Sequence, residues 1–176
     1  MKVRRVVTGQ VDGGKSVFVS DEEVEPVTVD LLPGAEFHRL WGADETVELP
    51  TDGTHPKYNE YFPPVGGFRW GFFTLPPSGT GLPENVDVTA ALQQLEEKLP
   101  GMMAHMEPAD PGMHTTHTVD FEVVLSGEVV LELDDGAEVT LKPGDTVVQN
   151  GTRHRWSNRG SVPAVLAVGI IGAQRL

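Results

Sequence analysis

The sequence predicts a single, mostly β domain, and three observations carry that expectation. Gly and Pro number 20 and 14 among 176 residues, of which 39% are hydrophobic. That composition suits short strands joined by tight turns better than a helical bundle. In the second half, the turn pairs Ser126-Gly127, Asp135-Gly136, Pro143-Gly144 and Asn150-Gly151 recur every 7 to 9 residues, the rhythm of an antiparallel meander or barrel. A chain of this length buries roughly 70% of its unfolded surface in one core, so a second full domain is not expected.

Residues 1–75 read as N-terminal strands and loops, with strands at Val3–Val7, Ser16–Val19, Val27–Leu32, Glu36–Trp41 and Phe68–Leu75. LPTDGTHPKYNEYFPPVGG and PPSGTGLPEN hold too many turn formers for regular structure and read as loops over a rim or a subunit surface. One short helix is expected over 86–100: Asp87 caps it, Val88, Ala91, Leu92, Leu95 and Leu99 share one face, and Pro100-Gly101 ends it. Met102, Met103, Met106 and Met113 then crowd one segment, which reads either as core filling or as an adaptable apolar lid over a pocket. Residues 105–172 form the expected β core, with Asp135-Gly136 its best hairpin turn. Its last strand, Ala164–Ile171, is apolar enough to be buried on both faces or at a subunit contact.

Composition narrows the partners. The 26 Asp and Glu against 13 Lys and Arg give a net charge of −13, which argues against nucleic acid and against an anionic membrane surface. The absence of Cys removes disulfides, thiolate metal sites and cysteine nucleophiles, so any metal chemistry must use His and carboxylate. No apolar run approaches the roughly 20 residues of a membrane span, and the first residues lack a signal-peptide core. The expectation is a cytoplasmic protein acting on a small molecule.

Residues two apart on a strand share a face. If a strand already begins at His114, then His114, Thr116, Thr118, Asp120, Glu122 and Val124 point one way, as do His154, Trp156 and Asn158 on theirs. Polar and titratable groups aimed into a small barrel are costly unless they bind a metal, a ligand or one another. His38, His55 and His105 read instead as surface or loop residues, and Arg153 or Arg155 is expected to pair with Asp145 or another acidic neighbour.

The segment HTTHTVDFEVVLSGE, followed by Gly144-Asp145 and then Gly151, His154 and Asn158, resembles the two motifs of the cupin superfamily. The Gly-x2-His-x3-Asn end of the second motif is intact. The first departs from the family pattern: Thr116 stands where a second His is usual, and Asp120 where a Glu is usual. It is similar to a group of bacterial single-barrel cupins with a His-x-Thr, Val-Asp-aromatic signature, many without an assigned reaction. The resemblance implies an antiparallel cupin barrel (double-stranded β-helix, or jelly roll) with an N-terminal β extension and one short helix.

It also implies a site. His114, Asp120 and His154 would hold a divalent metal, Fe(II) or Zn(II)/Ni(II), and the altered motif leaves open a cavity that uses none. Glu122 or His117 would act as acid or base, His117 only if its segment is still loop, and Glu122 could replace Asp120 as the carboxylate ligand. Thr116, Thr118, Trp156, Asn158 and Met113 would line the substrate pocket. Three functions follow: metal-dependent oxidation of a small organic or aromatic compound; metal-independent isomerisation, cyclisation, dehydration or decarboxylation; or non-catalytic binding of a small metabolite. The extra N-terminal strands and the apolar last strand predict a homodimer.

Overall fold

The alternation in TVDFEVVLS organises the molecule. In the computed structural model, which describes residues 1–82 and 84–176, this segment is β5 (Thr118–Ser126). Thr118, Asp120, Glu122 and Val124 are buried inward, while Val119, Phe121, Val123 and Leu125 face outward. Pro83 of the predicted 76–85 loop lies outside the described residues.

The N-terminal hairpin pairs β1 (Val3–Val11) with β2 (Lys15–Val24), joined by Asp12–Gly14. β3 (Glu36–Ala43) and β4 (Phe68–Leu75) precede helix α1 (Val88–Lys98). After β5 come β6 (Val129–Glu132), β7 (Glu138–Leu141), β8 (Thr146–Asn150), β9 (Arg155–Ser157) and β10 (Ala164–Gly172). They form a five-stranded antiparallel sheet, β3-β4-β10-β5-β8, and a three-stranded one, β7-β6-β9. Val124, Ala164 and Leu166 of the larger sheet meet Val129, Leu131 and Leu141 of the smaller in one core, as in a jelly roll.

The predicted devices account for the corners. Asp135 and Gly136 both take positive φ, 57° and 70°, which the tight turn between β6 and β7 requires. Asp87 caps α1 by accepting from the Thr89 and Ala90 amides, and Leu95 and Leu99 pack with Phe37 of β3 and with Met102. The apolar last strand runs centrally, between β4 and β5.

Two expectations are corrected. Val27–Leu32 is not a strand: Val27 makes one bridge to Phe37, and the chain then makes two successive turns, Leu32 N–H to Val29 O and Ala35 N–H to Leu32 O, the second of them around Gly34. His38 is not a surface residue. It lies fully buried in β3, because the start of the hairpin covers that end of the sheet.

The hairpin reaches the body of the protein through few contacts. Arg5 donates to Leu40 O at 2.8 Å and stands over the Trp41 ring, and Gln10 N–H donates to Thr51 O at 2.8 Å. At Gly9 a Cβ would fall 2.2 Å from Asp52 O, so this close approach admits only glycine. Gly9→Val should therefore cost about 1–3 kcal/mol and free the hairpin, read as faster amide exchange confined to β1 and β2.

Candidate functional site

Two imidazoles are brought together by the backbone. His114 precedes β5 and forms an antiparallel bridge with His154, N–H to O at 3.0 Å in both directions, which sets their rings 4.1 Å apart between centroids. His114 Nδ1 lies 3.0 Å from Gly112 O, and His154 Nδ1 lies 2.9 Å from Thr152 O. A carbonyl only accepts, so each Nδ1 carries the proton and each Nε2 keeps its lone pair. Burial lowers the pKa of both rings. His154 falls to about 4, with the nearby His114 adding to the burial effect. Both rings are neutral at pH 7.

Opposite in character are Asp120 and Glu122, adjacent inward positions of β5. Asp120 Oδ1 and Glu122 Oε2 are buried without a hydrogen-bond partner. Burial pushes Asp120 up to about 6, against the neighbouring Thr118 hydroxyl, and pushes Glu122 up to about 8, with the charge of Asp120 adding to it. At neutral pH Asp120 is mainly ionised and Glu122 mainly protonated.

These four residues line one cavity of about 210 Å³. Its remaining walls are apolar and aromatic, including Phe37, Phe73 and Trp156, and among the described residues no Lys or Arg lines it. Tyr61, from the Pro-rich loop before β4, also lines it. Burial first, then Asp120 and Glu122, hold its phenol well above the ordinary value while Arg39 pulls the other way, so its O–H stays a donor. Met102 and Met106 close the cavity, so the methionine segment fills core and covers the pocket at once.

A strap of residues 102–113 lies over this cavity and is tied down by charge. Arg153 donates to Glu107 at 2.8 Å, Asp110 at 2.7 Å and Asp134 at 3.0 Å, while Arg155 donates to Glu132 at 2.8 Å and Asp110 at 3.0 Å. The arginines beside His154 thus find acidic partners on the strap rather than Asp145, whose carboxylate accepts from Lys142 N–H.

Other expected site residues stand elsewhere. His117 is exposed although its segment precedes β5, because Thr116 and Thr118 on either side take the inward positions; its carbonyl accepts from Ala173 N–H and its side chain is outside the cavity. Thr116 and Thr118 bond each other at 2.7 Å, and Met113 is fully buried; none of the three lines the cavity. Asn158 is a clamp: its amide donates to Leu75 O at 3.0 Å and Val162 O at 2.8 Å, and its oxygen accepts from Gly160 N–H. Trp156 does line the cavity. Phe37, Phe73 and Tyr61 were not legible as site residues, since they arrive from the N-terminal half through sheet pairing and a loop.

The resemblance to cupins implies a metal, and the donor set can be tested for one. His114 and His154 offer two free Nε2 atoms, but among the described residues no group of three or more His, Asp or Glu stands close enough to hold an ion. The residues do not fit the expected His114, Asp120, His154 centre, because both carboxyls lie apart from the imidazole pair as a donor set.

Comparisons with known proteins agree on the fold. Residues 102–170 match the family model described as Cupin domain. The chain is 53% identical over 47 residues to the phomopsin biosynthesis cluster protein C' of Diaporthe leptostromiformis, covering 27% of this chain and 25% of that protein. It is 30% identical over 95 residues to the cupin-domain-containing oxidoreductase srdD of Neurospora crassa, covering 47% and 46%. These matches thus span about a quarter to a half of the relatives' length. A cupin domain of Schizosaccharomyces pombe Cnp3 superposes with a TM-score of 0.50 at 11% identity, over 98% of this chain and 89% of that one.

Two measurements check this site. Glu122 binds its proton more tightly folded than unfolded, so its contribution to stability is complete below pH 4.5 and is lost as pH rises through about 8. Glu122→Gln lacks that loss. Its advantage over the parent should grow from pH 5 to pH 8 to a few kcal/mol, at about 1.4 kcal/mol per pH unit, read as denaturant midpoints; a constant gap would contradict the burial. Arg153→Gln should speed amide exchange in 106–113 several-fold and leave β5 unchanged.

Proposed function

Taking as premise that residues 102–170 of this chain are a cupin domain, we propose that the protein is a small-molecule enzyme whose cavity moves protons on an uncharged, largely apolar substrate. One observation carries the reading: two carboxyls with unpartnered oxygens share an apolar cavity, one mainly ionised and one mainly protonated at neutral pH. Environments that drive two titratable groups apart assign them base and acid. Ionised Asp120 takes a proton from carbon beside a carbonyl, and protonated Glu122 or the Tyr61 hydroxyl donates to the oxygen that gains charge. If a hydroxyl departs from the next carbon, Tyr61 holds the carbonyl oxygen by a hydrogen bond, the carbonyl re-forms, and the single Glu122 proton leaves with the hydroxyl as water; if instead the proton taken by Asp120 returns to another carbon, the product is an isomer. The neutral imidazoles accept hydrogen bonds from substrate hydroxyls through Nε2.

Substrate class follows from the walls. With aromatic and aliphatic sides and no cationic group among the described lining residues, a carboxylate or phosphate ester would find no counter-charge.

A second reading, metal-dependent oxidation of a small organic or aromatic compound, draws support from the names of relatives described as cupin-domain-containing oxidoreductases. The two-imidazole donor set supports it less well than the carboxyl pair supports proton transfer.

The test follows deuterium. With a chelator present, apolar hydroxyketones and enones incubated in D₂O and watched by NMR should gain deuterium beside the carbonyl. Asp120→Asn and Glu122→Gln should each slow this by about 10²–10⁴-fold with the fold intact. Turnover that needs added Fe(II) and dioxygen would replace this reading with oxidation, and binding without exchange would leave a binding module.

A further inference from the structure

Next to the cavity lies a second, smaller pocket of about 40 Å³. Phe37, Tyr61 and Phe73 line both spaces, so these rings form a shared wall. Beyond them the chemistry changes: no cation among the described residues lines the cavity, whereas Arg39 and Arg69 both line the pocket. The pairing of β3 with β4 builds it. Arg39 stands opposite Gly71, and the ladder slips between Arg39 and Trp41. A Cβ at Gly71 would fall 2.4 Å from His38 O, so only glycine fits and no side chain fills the sheet at this point.

The two guanidiniums differ in what they still offer. Both stand over the Tyr58 ring, Arg69 at 4.2 Å and Arg39 at 4.9 Å from its centroid. Arg69 is buried and committed: it pairs with Asp44 at 2.5 Å and donates to the carbonyls of Glu60, Ala43 and Phe68. Arg39 is half-buried and donates to Asn59 O alone, at 3.3 Å, with no carboxylate paired to it among the described residues. Most of its planar fork of donors is therefore unused. His38 adds to the imbalance. It is 1% exposed and lines the same pocket, yet neither ring nitrogen has a hydrogen-bond partner. An imidazole always carries an N–H, and leaving it buried and unpaired costs about 1–3 kcal/mol. No carboxylate stands among the described lining residues to meet either donor.

We propose that this pocket binds a small planar oxyanion, such as formate, bicarbonate or nitrate, held by the Arg39 fork and the His38 N–H. Size sets the class: at roughly 10–15 Å³ for each water, the pocket has room for about three or four heavy atoms. Planarity follows from the fork, which takes two oxygens of one group side by side. The anion is distinct from the uncharged substrate in the cavity. Bound there, it would cancel the charge of Arg39, which otherwise draws the Tyr61 phenol down against burial and the two carboxyls. That link to the donor rests on the proton-transfer reading, whereas the site itself does not.

The test is NMR of the full chain carrying ¹³Cζ-labelled tyrosine. The sequence holds two tyrosines, Tyr58 and Tyr61, and both line the pocket, so every signal reports on it. Sodium formate is exchanged for sodium chloride at constant ionic strength, which removes general screening. Both signals should shift and saturate, with half-saturation on the order of 1 mM, and nitrate should compete. Arg39→Met should raise the half-point about 10-fold or more, while Arg39→Lys, which keeps the charge and loses the fork, should fall between. Should Arg39→Met unfold, the parent answers alone: the formate C–H proton should give an intermolecular Overhauser effect to the Tyr58 or Phe37 ring. No shift up to about 100 mM, which would leave water as the occupant, a shift that never saturates, or equal half-points in parent and Arg39→Met would overturn the site. Deuterium exchange without formate binding sinks this site alone, and formate binding without exchange sinks only the reaction.

Discussion

The two-residue period of β5 is the constraint on which the rest of this structure depends. A strand must send alternate side chains to opposite faces. Here the inward set is Thr118, Asp120, Glu122 and Val124, and the outward set is Val119, Phe121, Val123 and Leu125. β5 is flanked on both edges, by β10 and by β8, so a slip of one residue would break two ladders and bury Phe121 where Glu122 belongs. The same register therefore builds a polar wall for a cavity and, behind it, an uncharged outer face.

Placing two carboxyls on one buried wall is costly, and the protein meets that cost by protonation rather than pairing. No arginine or lysine lines the cavity among its described residues, so Glu122 keeps its proton to about pH 8 while Asp120 ionises near 6. The cations that the sequence places next to His154 are spent outside. Arg153 and Arg155 point onto the strap and draw four acidic side chains around them. Their alternation with His154 has the same origin as that of β5: one parity serves the cavity, the other the rim.

Much of this was legible in the sequence. Strand alternation placed Asp120 and Glu122 together, turn chemistry located the Asp135-Gly136 hairpin, and the cap at Asp87 with its apolar stripe gave the helix. What failed has physical reasons. His117 fails because the stretch before Thr118, although it is not a strand, keeps the strand's parity, burying Thr116 and leaving His117 exposed. Asn158 shares the parity of His154 yet turns to clamp two backbone carbonyls, since β9 ends at Ser157. Val27–Leu32 has strand composition, but Pro33-Gly34 forces the chain round before a second pairing can form. Tyr61, Phe37 and Phe73 were invisible as site residues because only long-range pairing of β3 and β4 brings them to β10 and β5.

The imidazole pair shows how far local signals reach. Strand parity and the resemblance to the two cupin motifs implied that His114 and His154 converge, and a single reciprocal bridge delivers it, with each ring's Nδ1 committed to a carbonyl two residues before it. That commitment fixes both tautomers and leaves two lone pairs facing the same space, an arrangement also suited to a metal ligand. What separates the two uses is the third donor. Asp120 and Glu122 come from the next strand at a depth set by the β5–β10 register, where burial dominates both, the charge of Asp120 acts on Glu122, and both carboxyls act on the Tyr61 phenol. A cavity so arranged has two carboxyls on one wall and hydrogen-bond acceptors on another, an arrangement suited to the proton transfer proposed above.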